Sequence, residues 1–167
     1  MNLATGLPLL FLSVLLQAGV LTHLRLLGGQ PDLVLLIVVS WSLLGRNPEG
    51  IVWAFAGGLL LDLFSGAPLG VSSVGLVLAA YVAGVGKGQV GLNNVVLPPV
   101  MILVGTAIYH SVTLALLVTL GMYPPLWMDS LTYVTLPSGI LNFVLVWPIF
   151  RSLGFLYARL RSRRSTQ

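Results

Sequence analysis

An all-helical bundle that crosses a lipid bilayer about six times is the fold this sequence predicts, on three observations. Of 167 residues, 57% are hydrophobic and 7% charged, with a mean hydropathy of +1.00. An ordinary soluble domain is roughly a quarter charged and under half apolar, so this chain lacks the polar material to cover a water-facing surface. The apolar residues fall into runs separated by Gly, Pro and Asn punctuation, and the basic residues collect at the ends of only some of them. At about 28 residues per span and connection, the length also gives six crossings.

The first segment covers residues 7–26, with Pro8 in its first turn and Gly28-Gly29 after it. Its basic residue, Arg25, follows the apolar stretch, whereas a cleavable leader carries its charge in front, so the segment reads as a retained span. The second opens at Pro31-Asp32, where proline suits a first helical turn, and runs to residue 44. The third covers residues 48–64, and the turn Ser65-Gly66-Ala67-Pro68 leads into the fourth, residues 68–85. After a connection over residues 86–94 comes the fifth, residues 95–120. Tyr123-Pro124-Pro125 then breaks the chain before the sixth, residues 130–157, which Pro137 and Pro148 should kink. About fourteen residues in the second segment reach roughly 21 Å against about 30 Å of hydrocarbon. The second and third segments are therefore either full spans or a shallow re-entrant pair. Both readings keep the termini on one side.

Basic residues orient such a bundle. With the C-terminus in the cytoplasm, Arg46, Lys87, Arg151, Arg159, Arg161, Arg163 and Arg164 lie inside and only Arg25 lies outside. Asp32, Asp62 and Asp129 then fall at the outer face and Glu49 at the inner. The expected organisation is one transmembrane domain over residues 1–157 and a basic cytoplasmic tail over residues 158–167. The C-terminal arginines suit contacts with anionic lipid or other cytoplasmic groups, not a nucleic-acid surface.

The third segment carries the most informative pattern. Gly50, Ala54, Gly58 and Asp62 recur every fourth residue and form one stripe on a helix. Small residues at this spacing let helices approach closely in lipid, and Gly75, Ala79 and Ala83 offer a matching stripe on the fourth segment. A tight hairpin is the expectation. Asp62 sits in an apolar run, where a carboxylate costs up to about 2.5–3.5 kcal/mol at the membrane centre, so it needs a partner. The N-terminus of the fourth helix, from Pro68, is one candidate and Arg25 another. A direct docking or binding role for Asp62 stands beside these structural readings. His110, mid-span with Tyr109, Ser111 and Thr113, suits interhelical hydrogen bonding. His23 and Arg25 snorkel to the outer interface, and Trp41, Trp53, Trp127 and Trp147 suit an interfacial belt or bundle packing.

Enzymatic chemistry fails on inventory. Without cysteine there are no disulfides, thiolate metal sites or thiol nucleophiles. His23 and His110 lie far apart with no acid beside either, and Asp32 stands at a helix start, not mid-membrane with Asp62. No G-x-S-x-G or phosphate-cradling loop occurs. No enzyme, cofactor or metal site is expected.

Pro31-Asp32-Leu33-Val34-Leu35-Leu36 resembles the opening of the second span in the MreD family of rod shape-determining proteins. Glu49-Gly50, then Gly57-Gly58-Leu59-Leu60-Leu61-Asp62, then Pro68-Leu69-Gly70, resembles that family's central signature. The resemblance implies Pro31, Asp32, Glu49, Gly50, Gly58, Asp62, Pro68 and Gly70 as signature positions serving partner or hairpin contacts. It also implies a fold like the six-helix substrate-binding subunit of energy-coupling-factor transporters. The implied role is a non-catalytic scaffold in the bacterial inner (cytoplasmic) membrane that supports lateral peptidoglycan synthesis. Its implied partners are an MreC-like single-span protein and, alongside it, RodA, a class B penicillin-binding transpeptidase and MreB. The rival reading is the substrate-binding subunit of a vitamin transporter, with Asn93, Asn94, Asn142 and Asp62 lining a pocket. The first segment, however, lacks the A-x-x-x-A docking pattern of such subunits.

Overall fold

The computed structural model describes residues 3–21, 28–45, 47–89, 96–125 and 127–164. His23, Arg25, Arg46, Asn93 and Asn94 lie outside the described residues. Among those described, the elements are helical: α1 (Leu3–Gly19), α2 (Leu33–Leu44), α3 (Asn47–Ser65), α4 (Val71–Gln89), α5 (Leu97–Thr119), α6 (Trp127–Ser130) and α7 (Leu136–Arg164). A π-helical turn, Leu131–Thr135, joins α6 to α7. Within the described residues, Pro48–Ser65, Leu97–Thr119 and Trp127–Arg159 are long and apolar enough to cross a bilayer. Gly6–Gly19, Leu33–Leu44 and Val71–Lys87 are apolar but shorter.

The short α2 is the axis of the bundle. Val34 to Leu43 are all buried, and α1, α3, α4, α5 and α7 pack around them. A helix that is apolar on every side belongs inside a protein. At 12 residues it is about 18 Å long, but protein, not lipid, surrounds it. The outer helices instead expose large apolar side chains, among them Leu12, Val52, Phe55, Leu103, Ile140 and Val144. An exposed apolar surface on so many helices is suited to acyl chains.

Close helix contacts rest on single glycines. A Cβ on Gly58 would collide with the Ser73 backbone, so α3 and α4 touch there. The Ser73 hydroxyl donates to the Phe55 carbonyl at 3.1 Å across the same seam. The matching stripe on α4 does not face α3, contrary to the sequence expectation. Gly75 lies against Tyr109 and Thr113 of α5, and Gly105 of α5 approaches Ala79. Two residues along a helix turn about 200°, so facing Ser73 toward α3 sends Gly75 to the other side. Likewise Gly50 abuts Ser42 of α2, not α4.

One proline also departs from expectation. Pro8 lies inside α1, which starts at Leu3 and not at residue 7. The last rod begins at Trp127, earlier than residue 130, and runs helical to Arg164. Pro137 cannot donate to the Tyr133 carbonyl four residues back. The π-helical turn just before it widens the helix, closing on a bond from the Leu136 amide to the Leu131 carbonyl. Gly28, with φ of 92°, packs where a Cβ would strike the Tyr133 carbonyl oxygen.

Successive segments reverse direction, so like ends collect. Gln17 of α1, Asp32 before α2, Asp62 near the end of α3, Ser72 in the first turn of α4 and His110 of α5 gather at one end. At the other, the Lys87 ammonium donates to the Gly45 carbonyl at 2.6 Å, covering the C-terminus of α2. There the Trp41 indole donates to Glu49 at 3.3 Å and stacks edge-on with Tyr157. Trp41 and Trp53 are buried packing residues, whereas Trp127 and Trp147 are exposed.

Candidate functional site

The acidic end holds a polar core built on Asp32, which is 3% exposed. Asp32 precedes α2 but makes no side-chain cap to it. Gln17 of α1 does that work, its Oε1 accepting from the Val34 amide at 3.0 Å. The Asp32 carboxylate is thereby left to face the other helices. Gln17 Nε2 reaches its Oδ1 at 3.4 Å. Its Oδ2 accepts from His110 Nε2 at 3.1 Å and from Asn142 Nδ2 at 3.2 Å.

Asn142, fully buried on α7, clamps residue 32 from two sides. Its Oδ1 accepts from the Asp32 amide at 2.8 Å, and its Nδ2 also donates to Thr106 Oγ1 at 3.1 Å. His110 Nδ1 shares a hydrogen bond with Thr135 Oγ1 at 3.2 Å. Ser138 Oγ accepts from the Gln30 amide at 3.1 Å. One acid thus couples α1, α2, α5, the π-helical turn and α7. A carboxylate inside an apolar bundle requires such donors, because its desolvation is otherwise uncompensated.

Asp62, 1% exposed, forms a second and simpler arrangement. Its Oδ2 accepts from the Gly70 amide at 2.7 Å and its Oδ1 from the Ser72 amide at 3.1 Å. These are donors at the start of α4, which every helix leaves free. Gly66 and Gly70, with φ of 71° and 99°, supply the left-handed turns that fold the chain back onto Asp62. Helix α4 accordingly starts at Val71 and not at Pro68.

Beside Asp32 lies a cavity of about 590 Å³. Leu61, Phe64, Leu114, Leu117 and Val134 form its apolar wall. Asp32, His110, Gln30, Ser72 and Thr113 supply polar groups, and the exposed Phe64 and Tyr123 mark its rim. Gln30 Oε1 and Thr113 Oγ1 are buried without a hydrogen-bond partner.

The sequence-picked residues therefore divide. Pro31 and Asp32 belong to the polar core, and Gly58, Asp62, Pro68 and Gly70 to the hairpin beside it. Glu49 and Gly50 sit at the opposite end near Trp41 and Ser42. Arg151 is exposed, and the Arg159 guanidinium lies 4.4 Å over the Phe155 ring. Arg161, Arg163 and Arg164 continue α7, and their side chains lie outside the described set. Sequence reasoning missed Gln17, Thr106, Thr135 and Ser138. A signal was present: Thr106 and His110 are one turn apart, and Thr135, Ser138 and Asn142 follow at three and four residues, each set on one helical face.

Apolar flanks around a hydrogen-bonded interior define a helical membrane protein. Among the described residues, no group of three metal-ligand side chains comes together. The chain belongs to the rod shape-determining protein MreD family, whose sequence model matches residues 2–157. Membership gives it a role in rod shape determination. No curated protein matches the chain, and no solved structure does.

Proposed function

We propose that this protein is a non-catalytic scaffold subunit of the bacterial elongation complex, crossing the inner membrane six times with both termini in the cytoplasm. In this reading it binds an MreC-like single-span partner and works beside RodA, a class B penicillin-binding transpeptidase and MreB. Its helix order is then that of the six-helix substrate-binding subunit of energy-coupling-factor transporters. The observation that carries the reading is where the polar groups point. Asp32, Asp62 and Asn142 are all turned inward onto the protein's own helices, while the flanks are apolar. A partner then recognises helix packing within lipid and the short turns. Lys87 and the arginines of α7 lie away from Asp32 and Asp62, which supports the positive end facing the cytoplasm.

Co-purification in mild detergent tests the partner. Recovery of a single-span protein with the folded chain is expected, and repeated failure to recover one would sink the proposal. An alkaline phosphatase fused after Gln167 should be inactive, because that enzyme needs the periplasm. Vitamin binding is the second reading, favoured by the cavity alone. Family membership favours the first.

A further inference from the structure

We propose that the cavity beside Asp32 is a binding site for a primary ammonium group carried on an apolar body. The inference is independent of the scaffold reading. Its basis is the chemistry of the lining. Among the described residues on its wall, Asp32 is the one acid and none is a lysine or arginine. An anion would meet a carboxylate there, whereas a cation is attracted to it.

The donors already on Asp32 leave room for one more. A carboxylate offers about four lone-pair sites. Oδ2 takes His110 and Asn142, while Oδ1 has the long 3.4 Å contact from Gln17. Two further acceptors on the wall, Gln30 Oε1 and Thr113 Oγ1, have no partner. Both oxygens are buried, on residues that line the cavity. A buried acceptor without a donor is unfavourable, so a ligand that supplies donors relieves the site as it binds. A primary ammonium carries three. A quaternary ammonium carries none.

The remaining wall takes carbon. Leu61, Phe64, Leu114, Leu117 and Val134 face the volume, and about 590 Å³ lies within the usual range of roughly 300–1,000 Å³ for small-molecule sites. Two sources present this chemistry to a membrane protein: an aminophospholipid headgroup and a soluble aryl- or alkylamine. Experiment separates them.

The full chain, purified in mild detergent, would be exchanged with equal amounts of dioleoyl phosphatidylethanolamine, phosphatidylcholine and phosphatidylglycerol. Native mass spectrometry then reads the retained lipid. Phenethylamine binding is measured alongside by calorimetry, with phenylacetate as the anionic control. The lipid source predicts phosphatidylethanolamine retained about tenfold over phosphatidylcholine, the ratio one charge-assisted hydrogen bond supplies. The soluble source predicts saturable phenethylamine binding with phenylacetate silent. Either preference should fall about tenfold in Thr113→Val with Gln30→Leu, which removes the two unpaired acceptors and leaves the side-chain hydrogen bonds to Asp32 in place. Equal retention of the three lipids together with no phenethylamine binding would overturn the proposal. So would a preference that survives Thr113→Val with Gln30→Leu in protein that remains folded.

Discussion

Replacing Asp62 with leucine should destabilise the protein far more than replacing it with asparagine. The carboxylate accepts two backbone hydrogen bonds, from Gly70 at 2.7 Å and Ser72 at 3.1 Å, and it is 1% exposed. Leucine leaves both amides without a partner, at about 1–3 kcal/mol each, the Ser72 amide in a buried position and the Gly70 amide in a partly buried one. The expected loss is about 3–5 kcal/mol. Asparagine keeps one acceptor oxygen but turns an NH2 toward the other amide, so its loss should be about 1–2 kcal/mol, within the range for helix caps. At roughly 2–4 °C per kcal/mol for a chain of this size, leucine lowers Tm by about 6–20 °C and asparagine by a few degrees. Detergent-solubilised protein followed by size-exclusion fluorescence during heating measures both. Equal Tm values for Asp62→Leu and wild type would refute the capping argument. If that variant also failed to retain a partner, Asp62 would be a contact residue.

Three further outcomes follow from the same geometry. Asn142→Leu removes the clamp on Asp32, leaving the residue 32 amide without its acceptor; a loss of about 2–4 kcal/mol is expected. His110→Leu should cost less, about 1–2 kcal/mol, because Asn142 still donates to the same oxygen, and a reversed order in thermal melts would contradict this network. Gly58→Ala forces α3 away from the Ser73 backbone and should cost about 1–3 kcal/mol. Gly154→Ala, where nothing lies within 4 Å, should be neutral or slightly stabilising in the same assay. Lys87→Met removes the cation from the C-terminus of α2 and should cost about 1 kcal/mol, read as a small drop in Tm.

Much of this organisation is legible along the chain because lipid imposes a severe local rule. Backbone groups in hydrocarbon must bond within their own helix, so apolar runs declare helices and Gly-Pro clusters declare their ends. The signature residues around Asp62 could be singled out for the same reason: an acid in an apolar run is conspicuous. Its use of the α4 amides was among the possibilities because that helix start is only eight residues away, at Gly70.

Pairing across the bundle lay beyond sequence reach. Nothing local says that Gly75 faces α5 while Ser73, two residues earlier, faces α3. Asp32 finds Asn142 at a separation of 110 residues, and Gln17, from another segment, accepts the Val34 amide at the start of α2. Apolar patterning alone determined that the chain is a helical membrane protein and roughly where its segments lie, with several ends shifted by a few residues in the structure. Which face of each helix turns inward depends on how glycines and polar side chains from distant segments fit around α2. Only the assembled bundle decided that, because in lipid no hydrophobic gradient distinguishes one apolar face from another.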